Sequence, residues 1–179
     1  IHGCPAQAVA AVSNQTYPKS AELLDKAMGL VPAQTQTFSK GWTQYPKGVS
    51  PVFATRADGG YVWDADGNKF IDWPMALGPL LLGHNNATVN DAVAKQLDNG
   101  IAFSLPTVGE LALAERLVDW FPYADRVRFG KNGSDATSGA VRAARAFTGR
   151  STILCCGYHG WQDWFIGTTT RNGGVPSAM

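Results

Sequence analysis

The feature that most constrains this chain is a change of hydrophobic period between residues 126 and 156. Arg126-Val127-Arg128-Phe129 reads as a short strand, residues 134 to 147 as an alanine-rich helix with Gly149 at its end, and Ser151-Thr152-Ile153-Leu154-Cys155-Cys156 as a second strand. A strand, helix, strand unit implies parallel strands joined by a right-handed crossover, so an α/β domain is expected. The turn into the helix is Lys131-Asn132-Gly133-Ser134-Asp135-Ala136, and the second strand runs out into Gly157-Tyr158-His159-Gly160-Trp161.

A helix start leaves backbone N–H groups unpaired and carries the positive end of the macrodipole, which makes an open, small-residue turn there an anion site. Gly133 lets the backbone approach closely and Ser134 adds a hydroxyl donor. The plainer reading is that Ser134 caps the helix and Gly133 relieves the turn. Tyr158 stands at the carboxyl end of the second strand, where ligands of open α/β sheets bind, and its ring suits a flat partner. His159 beside it is either a hydrogen-bonding group or a structural histidine of a glycine-flanked turn. Trp161 and Trp164 read as core or interface. Turn and aromatic together suggest a site for a phosphorylated planar cofactor. Lys131 precedes Gly133, so there is no Walker loop, and the three-glycine dinucleotide fingerprint is also absent. A nucleotide-binding α/β module is therefore the lesser alternative.

Upstream, residues 1 to about 18 read as an irregular arm. Leu23, Leu24, Ala27, Met28 and Val31 fall at helical spacing over residues 20–31, and Pro32 stops them. Residues 51–55 read as extended. A hairpin follows, with Tyr61-Val62-Trp63 and Phe70-Ile71-Asp72-Trp73 joined through Asp64-Ala65-Asp66-Gly67-Asn68, whose Asp-Gly step suits a tight turn. A helix over 87–99 is ended by Gly100, and a second begins at Thr107, which forms a capping box with Glu110.

Fifteen basic and fourteen acidic residues give a net charge of +1, scattered without a block, so no nucleic-acid footprint or polybasic membrane patch is present. Small molecules are the expected partners. The apolar run Ala8 to Val12 is far shorter than the roughly 20 residues a membrane span needs. Cys4, Cys155 and Cys156 make an odd count, with the adjacent pair on a strand read as buried; this argues against disulfides and for a reducing, cytoplasmic setting. No spacing among the cysteines and His2, His84 and His159 gives a zinc pattern. A start at Ile1 and a stop just after the glycine-rich residues 172–176 suggest a fragment of a longer protein.

The combination of motifs is more specific than its parts. Asn132-Gly133-Ser134-Asp135-Ala136-Thr137, then Ala143-Ala144-Arg145-Ala146-Phe147-Thr148-Gly149-Arg150, then Gly157-Tyr158-His159-Gly160 resembles the pyridoxal-phosphate (PLP) enzymes of aminotransferase class III. Gly48-Val49-Ser50-Pro51-Val52, the hairpin, Gly78-Pro79 and Leu82-Gly83-His84 agree in order and spacing, so that the likeness runs from about Lys19 to Gly167. Within the class it is most similar to glutamate-1-semialdehyde 2,1-aminomutase.

The resemblance implies a fold-type I α/β enzyme whose amino-terminal part is present. Residues 1–55 would contribute an arm and helix to the small domain, and residues 56–179 the hairpin and the start of the large, mixed or parallel-sheet domain. It implies a homodimer with active sites at the subunit interface and an amine or amino-acid substrate. It places Asn132, Gly133 and Ser134 at the cofactor phosphate, Tyr158 on its ring, His159 next to it, and Ser50 near the substrate carboxylate. The Schiff-base lysine and the aspartate at the pyridine nitrogen come from later sequence in relatives and are expected beyond Met179. Lys131 lies beside the phosphate turn and points the wrong way for that lysine. The aminomutase pattern has an aromatic where Leu77 stands, and small polar residues where Trp161, Asp163, Trp164 and Phe165 stand. Both departures put aminomutase specificity in doubt and leave a transaminase as the rival. A non-catalytic copy of the fold is the alternative to an enzyme, and the fragment alone is expected to be inactive.

Overall fold

A computed structural model of the chain describes residues 16–177. His2, Cys4, the run Ala8 to Val12 and most of the expected arm lie outside them. The chain divides into two compact units, Ile1–Ala102 and Phe103–Met179.

The first unit is organised by a three-stranded antiparallel sheet in the order β1 (Ala54–Asp58), β2 (Tyr61–Asp64), β3 (Lys69–Ile71). The hairpin is the one expected, with Trp63 opposite both Arg56 and Lys69. That register stacks charge on aromatics: the Arg56 guanidinium lies 4.1 Å from the centre of Trp63, and the Lys69 ammonium 3.7 Å from Tyr61. At exposed sites each such contact is worth about 0.5–1 kcal/mol.

The hairpin loop also starts a helix. Asp64, 2% exposed, accepts the N–H groups of Asp66 (3.0 Å) and Asn68 (2.8 Å) through Oδ1 and the Asn68 side-chain amide through Oδ2 (2.9 Å). This folds the loop so that the Asp66 carboxylate accepts the N–H of Lys19 at 2.7 Å and of Ser20 at 3.0 Å. Those are first-turn groups of α1 (Pro18–Met28), whose N-cap residue Tyr17 makes no side-chain cap bond. The loop thus serves as the missing cap.

Desolvation, the largest single influence on Asp66, acts upward on its pKa. The hydrogen bonds from Ser20 and Lys19 and the Lys19 charge together outweigh it, so the pKa falls below 3.8. A pKa lower in the folded than in the unfolded state means the contact stabilises fully above the unfolded value and is lost as pH falls through the folded one. We predict that the Lys19 and Ser20 amides lose hydrogen-exchange protection only below the ordinary carboxylate range; loss beginning above pH 5 would contradict this cap.

Beyond β3 the chain makes a left-handed turn, Met75–Leu77, with φ of 43°, 56° and 70° at three non-glycine residues in succession. An L-residue there costs roughly 1–2 kcal/mol. Helix α2 (Ala87–Asp98) follows, capped by Asn86, whose side chain accepts the Val89 N–H; Gly100, at φ 90°, lies just past its end as expected.

In the second unit α3 (Val108–Trp120) begins with the expected box, Thr107 and Glu110 each accepting from the other's backbone. Then comes α4 (Gly133–Thr148), closed by left-handed Gly149, and the single turn α5 (Asp163–Ile166). Here two expectations fail. Residues 126–129 and 151–156 form no strand, and no parallel pairing exists among the described residues. A strand is defined by a ladder to a neighbour, and neither segment finds one. Leu154 is consequently 96% exposed, and Cys155 and Cys156 are exposed rather than buried.

Candidate functional site

The second unit brings five of the six expected site residues together at the start of α4. Asn132, not Ser134, is the cap: its side chain accepts the Asp135 N–H at 3.0 Å and its carbonyl the Ala136 N–H at 3.2 Å. Asp135 accepts the Lys131 N–H in return at 3.1 Å, which occupies its carboxylate outside the helix start. Capping by Asn132 frees Ser134. Among the described residues the backbone N–H groups of Gly133 and Ser134 and the Ser134 hydroxyl have no acceptor. Nothing lies within 4 Å of where a Cβ on Gly133 would stand, so the approach is open. Unpaired donors at the positive end of a sixteen-residue helix are suited to a phosphate.

The segment 158–165 is fastened beside this helix start. Thr137 Oγ1 lies 2.8 Å from the His159 carbonyl and 3.1 Å from that of Ser134, and the Trp164 indole donates to Ser138 Oγ at 2.9 Å. Gly160 is buried at φ 124°, and a Cβ there would meet Ser134 Oγ at 2.6 Å and Gln162 Oε1 at 2.7 Å. Only glycine lets the strap pass so close.

Phe165, the one buried apolar side chain among the described residues, supports the rings. It meets Tyr158 edge-on at 5.6 Å, His159 at 5.4 Å and Trp164 at 5.9 Å between centroids. Tyr158 keeps 75% exposure and is free to cover a ligand, while His159 is half-buried. Trp164 is packed, as expected; Trp161 is 70% exposed, so the core reading fails for it. Gln162 stands in none of the sequence motifs, Thr137 enters only as the last residue of the helix-start motif and Phe165 only as a departure from the aminomutase pattern, neither with a supporting role. Phe165 gave a signal, an apolar residue six beyond His159 in an aromatic cluster; Thr137 gave none.

Ser50 belongs to the first unit. It is half-buried and lines a cavity of about 300 Å³ with Lys40, Tyr45, Phe70 and Ile71.

A helix start with free donors and an aromatic strap fastened beside it is an arrangement that a phosphorylated ring compound would suit. Residues 44–178 match the family described as aminotransferase class-III, and the chain belongs to that family. It is similar to an omega-transaminase of Sphaerobacter thermophilus, with 33% identity and a TM-score of 0.76 over 89% of this chain and 39% of that one. It is similar also to the FumI protein of Sphingopyxis sp. MTA144, solved with PLP, with 35% identity and a TM-score of 0.82 over 90% and 38%. A glutamate-1-semialdehyde aminomutase of Pseudomonas aeruginosa PAO1 matches at 25% identity and a TM-score of 0.69, over 83% and 32%. The chain therefore spans about a third to two fifths of the length of these relatives, and its fold is that of part of a fold-type I α/β transferase. No helix among the described residues is long and apolar enough to cross a membrane.

Proposed function

We propose that this chain is the amino-terminal part of a PLP-dependent transaminase. The observation that carries the reading is the set of unpaired donors at Gly133 and Ser134 under the strap that bears Tyr158 and His159. The residues fit the cofactor. Gly133 and Ser134 would bind its phosphate through backbone N–H groups and the Ser134 hydroxyl, with Asn132 holding the turn open. Tyr158 would lie against the ring, and His159, braced by Phe165 and Thr137, would donate or accept a hydrogen bond at its edge. When bound, PLP supplies an electron sink for charge developing on the substrate carbon. The protein's part is to anchor the phosphate, fix the ring's plane and exclude water from it.

Transfer of an amino group between an amine or amino acid and a keto acid is favoured over the internal shift of an aminomutase. The omega-transaminase is 33% identical and the aminomutase 25%, and the aromatic expected of an aminomutase at Leu77 is missing. In this reading residues 1–55 join the small domain and 56–179 open the large one, Ser50 lies near the substrate carboxylate, and the enzyme is a cytoplasmic homodimer with its sites at the subunit interface. The catalytic lysine lies outside this chain, and the chain alone is inactive.

The intact enzyme should bind PLP with a visible absorption band, and borohydride should fix the cofactor to a lysine. Ser134→Ala should weaken PLP binding about tenfold, since a hydrogen bond to a charged group is worth about 1.5–3 kcal/mol. An enzyme that takes up no PLP, or whose affinity ignores Ser134, sinks the reading.

A further inference from the structure

Gln162 carries a buried polar atom that nothing in the site yet explains. Its Oε1 is closed off from solvent and has no hydrogen-bond partner among the described residues. Leaving such a group unpaired is costly, so it calls for a physical account. The side chain does not serve its own helix. Gln162 is the N-cap residue of α5 and makes no side-chain cap bond; only its carbonyl acts there, accepting the N–H groups of Phe165 at 2.9 Å and Ile166 at 3.0 Å.

The side chain instead turns back toward the start of α4. Gly160, buried at φ 124°, makes that return possible: the point where a Cβ would stand is 2.7 Å from Gln162 Oε1 and 2.6 Å from Ser134 Oγ. The two oxygens therefore flank one methyl-sized place beside Gly160. The chain is fastened on both sides of Gln162, where Thr137 Oγ1 meets the His159 carbonyl at 2.8 Å and the Trp164 indole donates to Ser138 Oγ at 2.9 Å. All of these residues belong to one compact unit.

A primary amide offers an acceptor at one end and two donors at the other, and rotation about its last bond exchanges them. A serine hydroxyl has one proton to give and two lone pairs to fill. With the amide oxygen inward, Gln162 and Ser134 can be joined only through the Ser134 proton, which is then lost to a phosphate. With the nitrogen inward, Ser134 Oγ accepts from Gln162 and its own proton is free to point at the anion. The second arrangement also takes Oε1 out of the enclosed place. Donation into Oγ polarises the hydroxyl and strengthens its bond to a charged acceptor.

We propose that Gln162 is a positioning residue for the cofactor phosphate: its side-chain N–H donates to Ser134 Oγ and so directs the Ser134 proton to the anion at the start of α4. The amide is a two-position element, oxygen inward without the anion and nitrogen inward with it. The inference rests on the transaminase reading above, and within it Gln162 touches Ser134 and not the cofactor.

The test measures the PLP affinity of the intact enzyme by titration of the visible band. Gln162→Met, which keeps the length and removes both amide groups, should weaken PLP binding about fivefold, the effect of one neutral hydrogen bond. In a Ser134→Ala enzyme the same change should have no further effect, because the oxygen it acts through is already gone. A side chain that only packs the strap would weaken both backgrounds alike. The phosphorus NMR resonance of bound PLP should move in Gln162→Met toward its position in Ser134→Ala. Gln162→Leu takes the place of Gln162→Met if that variant does not fold. An affinity unmoved by the Gln162 change, or lowered equally with and without Ser134, overturns the inference. The same set of enzymes is titrated with inorganic phosphate. If the wild type binds phosphate but no PLP, the transaminase reading falls and the phosphate affinities decide the role of Gln162; if it binds neither, both fall.

Discussion

In the intact enzyme, Gly160→Ala is expected to weaken the hold on PLP. The new methyl would stand 2.6 Å from Ser134 Oγ and 2.7 Å from Gln162 Oε1, closer than van der Waals contact allows, on a backbone held at φ 124°. Two separate costs result. The backbone region is one that L-residues avoid, at about 1–3 kcal/mol. The clash must also be relieved, either by lifting the strap that carries Tyr158 and His159 or by turning Ser134 away from the helix start. Each movement damages the proposed site, the first by removing the ring cover and the second by removing a phosphate donor. We expect at least a tenfold loss of PLP affinity, about 1.4 kcal/mol, measured by titration of the visible band. Ser134→Ala combined with Gly160→Ala should recover part of the strap's packing, because one clashing atom is gone, but not the affinity. A Gly160→Ala enzyme with unchanged PLP affinity would show that the strap and the helix start do not act as one site.

How legible this was depended on how local the cause of each element is. The hairpin, the ends of α2 and α4 at Gly100 and Gly149, and the Thr107 box were readable because each is fixed by neighbouring residues and by a turn with one chemical requirement. The cap of α4 is Asn132 and not Ser134, the residue the plainer of two sequence readings makes the cap; both are good caps, and only the backbone shows which one turns its oxygen inward. Residues 126–129 and 151–156 have the composition of strands, but a strand needs a ladder, and sequence does not say whether the partner is within reach. The role of Asp66 was invisible for a different reason. It meets a residue brought near by the sheet, Lys19, 47 positions away, with no periodicity to mark the pair. In the site, the motif residues were legible and their supports were not: Phe165 and Thr137 matter for where they sit, not for what they are.

The 179-residue chain expressed alone will not behave as a folded monomer. Among the described residues only Phe165 is a buried apolar side chain, whereas Leu154 is 96% exposed, Phe147 93%, Leu81 90% and Val108 88%. These are not isolated surface residues. Val89, Val93 and Leu97 form one stripe along α2, each about half exposed, and Leu111 of α3 is 63% exposed on a helix with no buried residue at all. Helices normally owe their stability to burying such a stripe rather than to propensity. Ordering one residue costs about 1–2 kcal/mol, while fully burying a phenylalanine returns about 3 kcal/mol at most, so a single buried ring cannot hold a unit of this size. Apolar stripes this extensive bind one another instead, and the unladdered segments 126–129 and 151–156 offer unpaired backbone to neighbouring chains. We therefore expect the isolated chain to bind a hydrophobic dye strongly, to sediment as heterogeneous oligomers, and to unfold without a sharp transition. Adding the remaining part of the enzyme in trans should reduce dye binding in proportion to the complex formed. A monomeric species with a sharp two-state melt at low concentration would show that these faces close on one another within the chain, and would refute the argument from burial.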